Sequence, residues 1–70
     1  MNLEEVQVGA KVLIHELVGN KEIIRKVEAM GLRKGKRVEV LQKVGRNMLL
    51  KLNNSKLIIS KDVARDILVK

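Results

Sequence analysis

The spacing of apolar residues changes around Gly31 and Gly35, and that change limits the folds the chain can adopt. Between residues 20 and 31, apolar residues recur three or four positions apart, as on one face of a helix. From Lys36 onward they alternate with polar residues, as on a strand with one buried face. One helix followed by several strands is therefore predicted for this part of the chain.

The helix is predicted over about residues 20–30, and one apolar stripe defines its buried face. Ile23, Val27 and Met30 recur at spacings of four and three, and Ile24 widens the stripe. A stripe of this width is typical of a helix that packs against a core along one side. We therefore expect these four side chains to lie against the sheet.

The ends of this helix carry recognisable signals. Gly19 or Asn20 can cap its start, and Glu22 lies in the first turn, where the helix dipole favours an acid. Gly31 follows the last helical residue and can adopt the left-handed conformation of a C-cap, with Leu32 folding back onto the last turn. Gly35 is predicted to permit the tight turn into the next strand.

Short apolar segments separated by polar turns predict five strands. "KVLIHELVG" precedes the helix, and "RVEVL", "MLLKL" and "KLIIS" follow it, with turns at "GRN" and "NNS". "SKDVARDI" predicts one helical turn capped by Ser60, and "ILVK" a last strand. With five strands and one helix, the predicted fold is mainly β. Closing the sheet into a barrel would cover the edges of such short strands. It is a small five-stranded barrel with one inserted helix and a short helical turn before the last strand.

Length and composition bound what this fold can contain. Seventy residues predict a single domain over residues 1–70, and the absence of aromatic residues and cysteine leaves Val, Ile, Leu, Met and Ala to build the core. No thiolate site or disulfide is available. The N-terminal residues lack a signal-peptide pattern, and no apolar run approaches the ~20 residues of a membrane span. A soluble, cytoplasmic protein is therefore expected.

The formal net charge of +7 suggests an acidic partner: nucleic acid, an anionic membrane or an acidic protein surface. Ordinary solubility explains such a charge equally well. Residues 33–46 contain one acid, Glu39, and six basic residues, namely Arg33, Lys34, Lys36, Arg37, Lys43 and Arg46. A nucleic-acid-binding barrel remains an alternative, although no aromatic side chain can stack bases and only one helix could enter a groove.

Catalytic and metal-binding patterns are weak. His15 is the only histidine, and the carboxylates show no spacing typical of a zinc or calcium site, so His15 is at most a weak metal candidate. Ser55 and Ser60 have no histidine and acid arranged by spacing to activate them. Met30 and Met48 are interpreted as fillers of an aliphatic core. The sequence therefore predicts a protein without enzymatic activity or a small-molecule substrate.

The order of motifs nevertheless resembles a known family. A helix ending in "VEAMGL", a basic "RKGKRVEV", a glycine turn and "KLIISKDVARDILV" are similar to the FeoA family of small ferrous iron transport A proteins. The resemblance covers about residues 3–70 and depends on Met30-Gly31, Gly35, Val38, Val40, Ala64, Ile67 and Val69. Met30 stands where the family usually has leucine, and Lys34 where it often has proline.

The resemblance implies an SH3-like fold and a cytoplasmic accessory role in ferrous iron uptake. The implied partner is FeoB, a membrane transporter with a GTPase domain, which would hold the protein at the inner face of the membrane. Related domains act as protein-contact modules in metal-dependent transcription regulators, and the family is often described as binding transition metals such as ferrous iron. Self-association through an edge or terminal strand is a further possibility.

The predicted contact surface is a basic rim with an apolar anchor. We expect Arg33, Lys34, Lys36 and Arg46 to form the rim, and an exposed Met48 or Leu49 to supply the anchor. Charge at such a rim speeds encounter and orients docking more than it sets the final affinity. Gly31 and Gly35 are given structural roles in this interpretation.

Overall fold

The computed structural model describes residues 1–70, and its elements follow the predicted order. A 3-10 turn opens the chain, followed by five strands, a nine-residue helix and a four-residue helical turn. Their bounds are Leu3–Glu5 (3-10), Lys11–Leu17 (β1), Lys21–Ala29 (α1), Arg37–Val44 (β2), Asn47–Leu52 (β3), Ser55–Ser60 (β4), Lys61–Ala64 (α2) and Ile67–Val69 (β5).

The strands form one antiparallel sheet in the order β4-β3-β2-β1-β5. The prediction of a mainly β fold with five strands, an inserted helix and a final helical turn is confirmed. β4 and β5 lie at the two ends of the sheet and are joined through α2, with no ladder between them. One edge of β4 therefore has no strand neighbour.

Two-residue turns set the register of the meander formed by β2, β3 and β4. In the first hairpin the two central residues are Gly45, with φ +56°, and Arg46, whose φ is not positive. This combination is typical of a type II′ turn, whose twist matches that of the flanking strands. Asn53 supplies positive φ, +57°, in the second hairpin. Asparagine tolerates this conformation better than most residues. The ladder from β3 to β4 is uninterrupted over six residue pairs.

The caps of α1 match their prediction. The Asn20 side chain accepts a hydrogen bond from the Glu22 amide at 2.7 Å, so Asn20 is the N-cap. At the other end Gly31 has φ +97°, the Gly31 amide donates to Glu28 O, and the Leu32 amide donates to Val27 O at 3.1 Å. This is the Schellman arrangement, and it buries Leu32 completely.

The predicted apolar stripe of α1 is only partly correct. Val27 is buried and Ile24 half-buried, but Ile23 and Met30 are 38% and 43% exposed. Val27 is the single buried residue of α1, so the helix contacts the core through only one part of this stripe. Met30 does not fill the core as expected, whereas Met48 does, with no exposed surface.

The core contains fourteen buried residues, all of them apolar and drawn from Val, Ile, Leu, Met and Ala, as the composition requires. β2 and β3 contribute alternate residues to it, namely Val38, Val40, Met48, Leu50 and Leu52. No buried side-chain polar atom lacks a hydrogen-bond partner. Neither α1 nor α2 has the length and apolar content of a membrane-spanning helix.

Candidate protein-contact surface

The basic turn between α1 and β2 is held by backbone hydrogen bonds on both sides. The Lys36 amide donates to Arg33 O at 3.0 Å, and Gly35 between them has φ +89°, as a turn with glycine at its third position requires. The Gly35 amide donates to Ile14 O, and the Ile14 amide donates to Lys36 O, both at 2.8 Å. The turn is thus fixed to β1, and its cationic side chains point into solvent.

The three cations of this turn have no carboxylate partner. Arg33, Lys34 and Lys36 are exposed, and both ion pairs of the protein lie elsewhere. Arg33 donates through Nε to the backbone oxygen of Glu28 at 3.1 Å, which tethers its side chain to the end of α1. Their charges are consequently available to an external partner.

The net charge of the molecule is concentrated in one part of the chain. Residues 33–56 hold eight basic side chains and one acid, a net +7, whereas the rest holds seven of each. This segment comprises the basic turn, β2, β3 and the start of β4. Because the whole excess lies in this segment, an acidic partner that contacts it gains the most favourable electrostatic interaction.

Charge around α2 and the opening 3-10 turn is compensated by local ion pairs. Arg65 contacts Glu4 at 3.2 Å and Asp62 at 3.0 Å. The hydrogen bond to Glu4, with the charges of Glu4 and Asp62, raises the pKa of the Arg65 guanidinium. These groups lie around α2 and the opening 3-10 turn, away from the basic turn in the chain order. Local pairing leaves this side without excess charge.

The predicted rim does not form one continuous site. Arg46 is exposed, but it lies in the hairpin beyond the far end of β2 from the basic turn. Eight strand residues extend about 25 Å at ~3.3 Å each. Arg33, Lys34 and Lys36 therefore form one cationic site, and Arg46 belongs to another.

The predicted apolar anchor requires a correction. Met48 has no exposed surface, because its side chain points from β3 into the core. Its neighbour Leu49 points to the opposite face and is half-buried. Directly across the ladder from Leu49 lies Ile58, which is 63% exposed. Leu49 and Ile58, unlike Met48, are apolar residues on the outer face of the sheet.

Cross-strand pairing adds a charged row that the linear sequence did not indicate. Lys11 lies opposite Glu39, Glu39 opposite Lys51, and Lys51 opposite Lys56, across four neighbouring strands. A cleft of about 240 Å³ follows this face. Its lining is Lys11, Arg37, Val38, Glu39, Lys51 and Asn53. Sequence reasoning missed these lysines because only strand register brings together residues 11, 39, 51 and 56.

The residues do not fit a metal centre. His15 is exposed in β1, next to an irregularity in the pairing with β5. No three His, Cys, Asp or Glu side chains converge as a ligand set could. Since a tight protein site needs three or four such ligands, the fold does not bring partners to His15.

Comparison with known proteins places the chain among characterised folds. The family model described as "FeoA domain" matches residues 1–70. No curated protein sequence matches the chain. A FeoA-like protein from Clostridium acetobutylicum is 30% identical, with a TM-score of 0.91 over 100% of this chain and 84% of its own. A crystal structure described as an iron uptake regulatory protein (FeoA) is 25% identical, with a TM-score of 0.89 over 99% and 92%.

A third similar structure is the manganese regulator SloR. It is 17% identical, and its TM-score of 0.86 covers 99% of this chain but 33% of the regulator. At this identity the similarity shows a shared fold. The SH3-like five-stranded fold expected from the resemblance is confirmed.

Proposed function

The chain belongs to the FeoA family, and on that premise we propose that it is a non-enzymatic accessory protein of ferrous iron uptake. It acts by direct contact with the FeoB GTPase-transporter, on the cytoplasmic side and peripheral to the membrane through that partner. Membership of the family supports the role in iron uptake, since two similar structures are described as FeoA or FeoA-like proteins. The partner and the absence of catalysis are part of the proposal.

The observation that carries the proposal is the concentration of the whole net charge in residues 33–56. Arg33, Lys34 and Lys36 lie in one fixed turn, exposed and without carboxylate partners. A rigid cationic turn orients an acidic surface during encounter, since complementary charge mainly raises the association rate.

The experiment measures association with the soluble GTPase domain of the transporter by stopped flow at low and physiological salt. Changing Arg33, Lys34 and Lys36 to Glu together is expected to slow association at least tenfold at low salt, because electrostatic steering accounts for that range. The difference is expected to shrink at physiological salt, where the Debye length falls to about 8 Å.

A matched control reverses three cations elsewhere. Lys21, Lys61 and Lys70 lie outside residues 33–56, and the first two begin helices, where glutamate is well tolerated. This variant has the same net charge as the turn variant. Equal rates for the two variants would show that net charge alone, and not the turn, determines association. An unchanged rate for the turn variant would contradict the proposed contact.

The same cationic segment supports a second candidate function, a small nucleic-acid-binding barrel. Eight cations in residues 33–56 could contact phosphates. The composition weakens this candidate, because barrels that bind single strands stack bases on aromatic side chains and this chain has none. Titration with single- and double-stranded oligonucleotides distinguishes the two functions. Binding that persists at physiological salt would favour nucleic acid over the transporter.

A further inference from the structure

We propose that the free edge of β4 accepts an extended acidic segment of a partner protein as an added strand. The inference rests on the proposed function for the idea of a protein partner, and it adds the place and the chemistry of a contact. It concerns a surface separate from the turn at Arg33, Lys34 and Lys36. Three features of β4 carry it: an unpaired edge, an unbalanced charge row and an exposed apolar side chain.

The edge of β4 is open for backbone pairing. β4 lies at the end of the sheet and pairs with β3 alone. None of the backbone hydrogen bonds formed outside the helices and strands involves residues 55–59. In an antiparallel strand about half of the N–H and C=O groups point away from the neighbouring strand. These groups are therefore free to pair with another extended segment, as in strand-addition complexes.

The charge row ends at this edge in an unfavourable arrangement. Across the sheet the row is Lys11, Glu39, Lys51 and Lys56, so its charges alternate until the last two lysines meet. Like charges directly opposite each other on a ladder are destabilising. Neither lysine has a carboxylate within 4.0 Å. An acid on an added strand, opposite Lys56, would restore alternation and relieve the repulsion.

The neighbouring row specifies a second feature of the added strand. Ile58 is on the same face as Lys56 and is 63% exposed, next to the half-buried Leu49. An apolar residue opposite Ile58 would cover it. Residues opposite Ile58 and Lys56 are two apart, with one residue between them opposite Leu57. An antiparallel segment that fits therefore has an apolar residue at position i, opposite Ile58, and an acid at position i+2, opposite Lys56, with an apolar residue between them.

Charge favours a different protein over a second copy of this chain. Pairing two β4 edges would bring together two segments that each hold a net +7. An acidic segment meets the same edge with complementary charge. Nucleic acid offers no backbone amides for the free edge, so it cannot use the ladder groups that an added strand would satisfy.

The test uses the full chain labelled with nitrogen-15 and two synthetic nine-residue peptides, one containing Val-Val-Glu and one containing Val-Val-Lys between threonines. The acidic peptide is expected to shift the amide resonances of residues 55–60 and Lys51, and to slow amide exchange in β4 severalfold. Lys56→Glu is expected to weaken its binding at least tenfold, with Lys56→Gln intermediate. The control Lys21→Glu, on α1, is expected to change binding less than twofold.

Shifts centred on another surface, or equal binding of the lysine peptide, would overturn the inference. Concentration-dependent dimerisation through β4 without peptide would also overturn it, because the edge would then serve a second copy.

Failure of the edge inference is distinguishable from failure of the proposed function. If the peptide does not bind while transporter association still depends on the turn, only the edge inference fails. If the peptide binds β4 and the GTPase domain does not associate, only the proposed partner fails.

Discussion

A Cβ atom built on Gly31 would lie 2.8 Å from Cδ2 of Leu52, a separation that packed carbon atoms do not adopt. Leu52 is 6% exposed at the end of β3, so the contact joins the end of α1 to the core. Gly31 therefore meets two requirements, the left-handed backbone of the C-cap and a close approach between helix and sheet.

Replacing Gly31 with Ala tests both requirements against a matched position. Gly35 also has positive φ, +89°, but no heavy atom lies within 4 Å of a Cβ built there. Gly35→Ala is expected to cost about 1–2 kcal/mol for left-handed geometry alone. Gly31→Ala adds overpacking of about 1–3 kcal/mol. Urea denaturation measures both, and equal losses would contradict the contact with Leu52.

Met30 and Met48 are both interpreted from the sequence as core fillers, but their truncation is expected to lower the free energy of unfolding by different amounts. Met48→Ala removes a fully buried side chain and is expected to lower the free energy of unfolding by about 2–5 kcal/mol. Met30→Ala, at a position 43% exposed, is expected to change it by less than about 0.5 kcal/mol. Chemical denaturation of both variants checks this. A large loss for Met30 would mean that α1 packs more deeply than described.

The N-cap of α1 is expected to contribute measurably to stability. Asn20→Ala leaves the Glu22 amide without its 2.7 Å acceptor and is expected to cost about 1 kcal/mol. Asn20→Asp retains an oxygen acceptor at this position and is expected to restore the parent stability. Thermal denaturation followed by circular dichroism compares the three proteins. An alanine variant as stable as the parent would show that solvent replaces the cap.

The unbalanced charge row makes a prediction for the protein without a partner. Lys56→Glu replaces the like-charge pair with Lys51 by an opposite-charge pair and is expected to raise the free energy of unfolding by about 0.2–1 kcal/mol at low salt. The gain is expected to vanish near 1 M salt, where the Debye length is about 3 Å. Lys70→Glu, at the exposed C-terminus, is the control for net charge. Equal gains for both variants would indicate a general charge effect.

Local signals predicted most of the secondary structure. Asn20, Gly31 and Ser60 act within a few residues of their own position, through hydrogen bonds to nearby amides or through backbone conformation. Such effects depend on neighbouring residues in the chain, so they can be inferred before the fold is known. The same holds for the alternation in β2 and β3, whose inward residues form much of the core.

Predictions about surfaces were less successful because they depend on distant parts of the chain. Ile23 and Met30 share a helical stripe with Val27, but only Val27 is buried in the core. Arg46 is near Lys36 in sequence, yet β2 separates the two by its full length. Met48 and Leu49 are equally apolar neighbours, and only the direction of the pleat decides which one faces solvent.

The sequence by itself determined the order of elements, the caps, the glycine turns and the aliphatic composition of the core, because these depend on local chemistry and spacing. It also determined that the excess charge lies between residues 33 and 56. Only the tertiary structure decided that Lys51 faces Lys56, that Ile58 lies beside them and that β4 is left at an edge. The physical reason is strand register: which side chains become neighbours depends on pairing between strands, and pairing is settled when the whole sheet assembles.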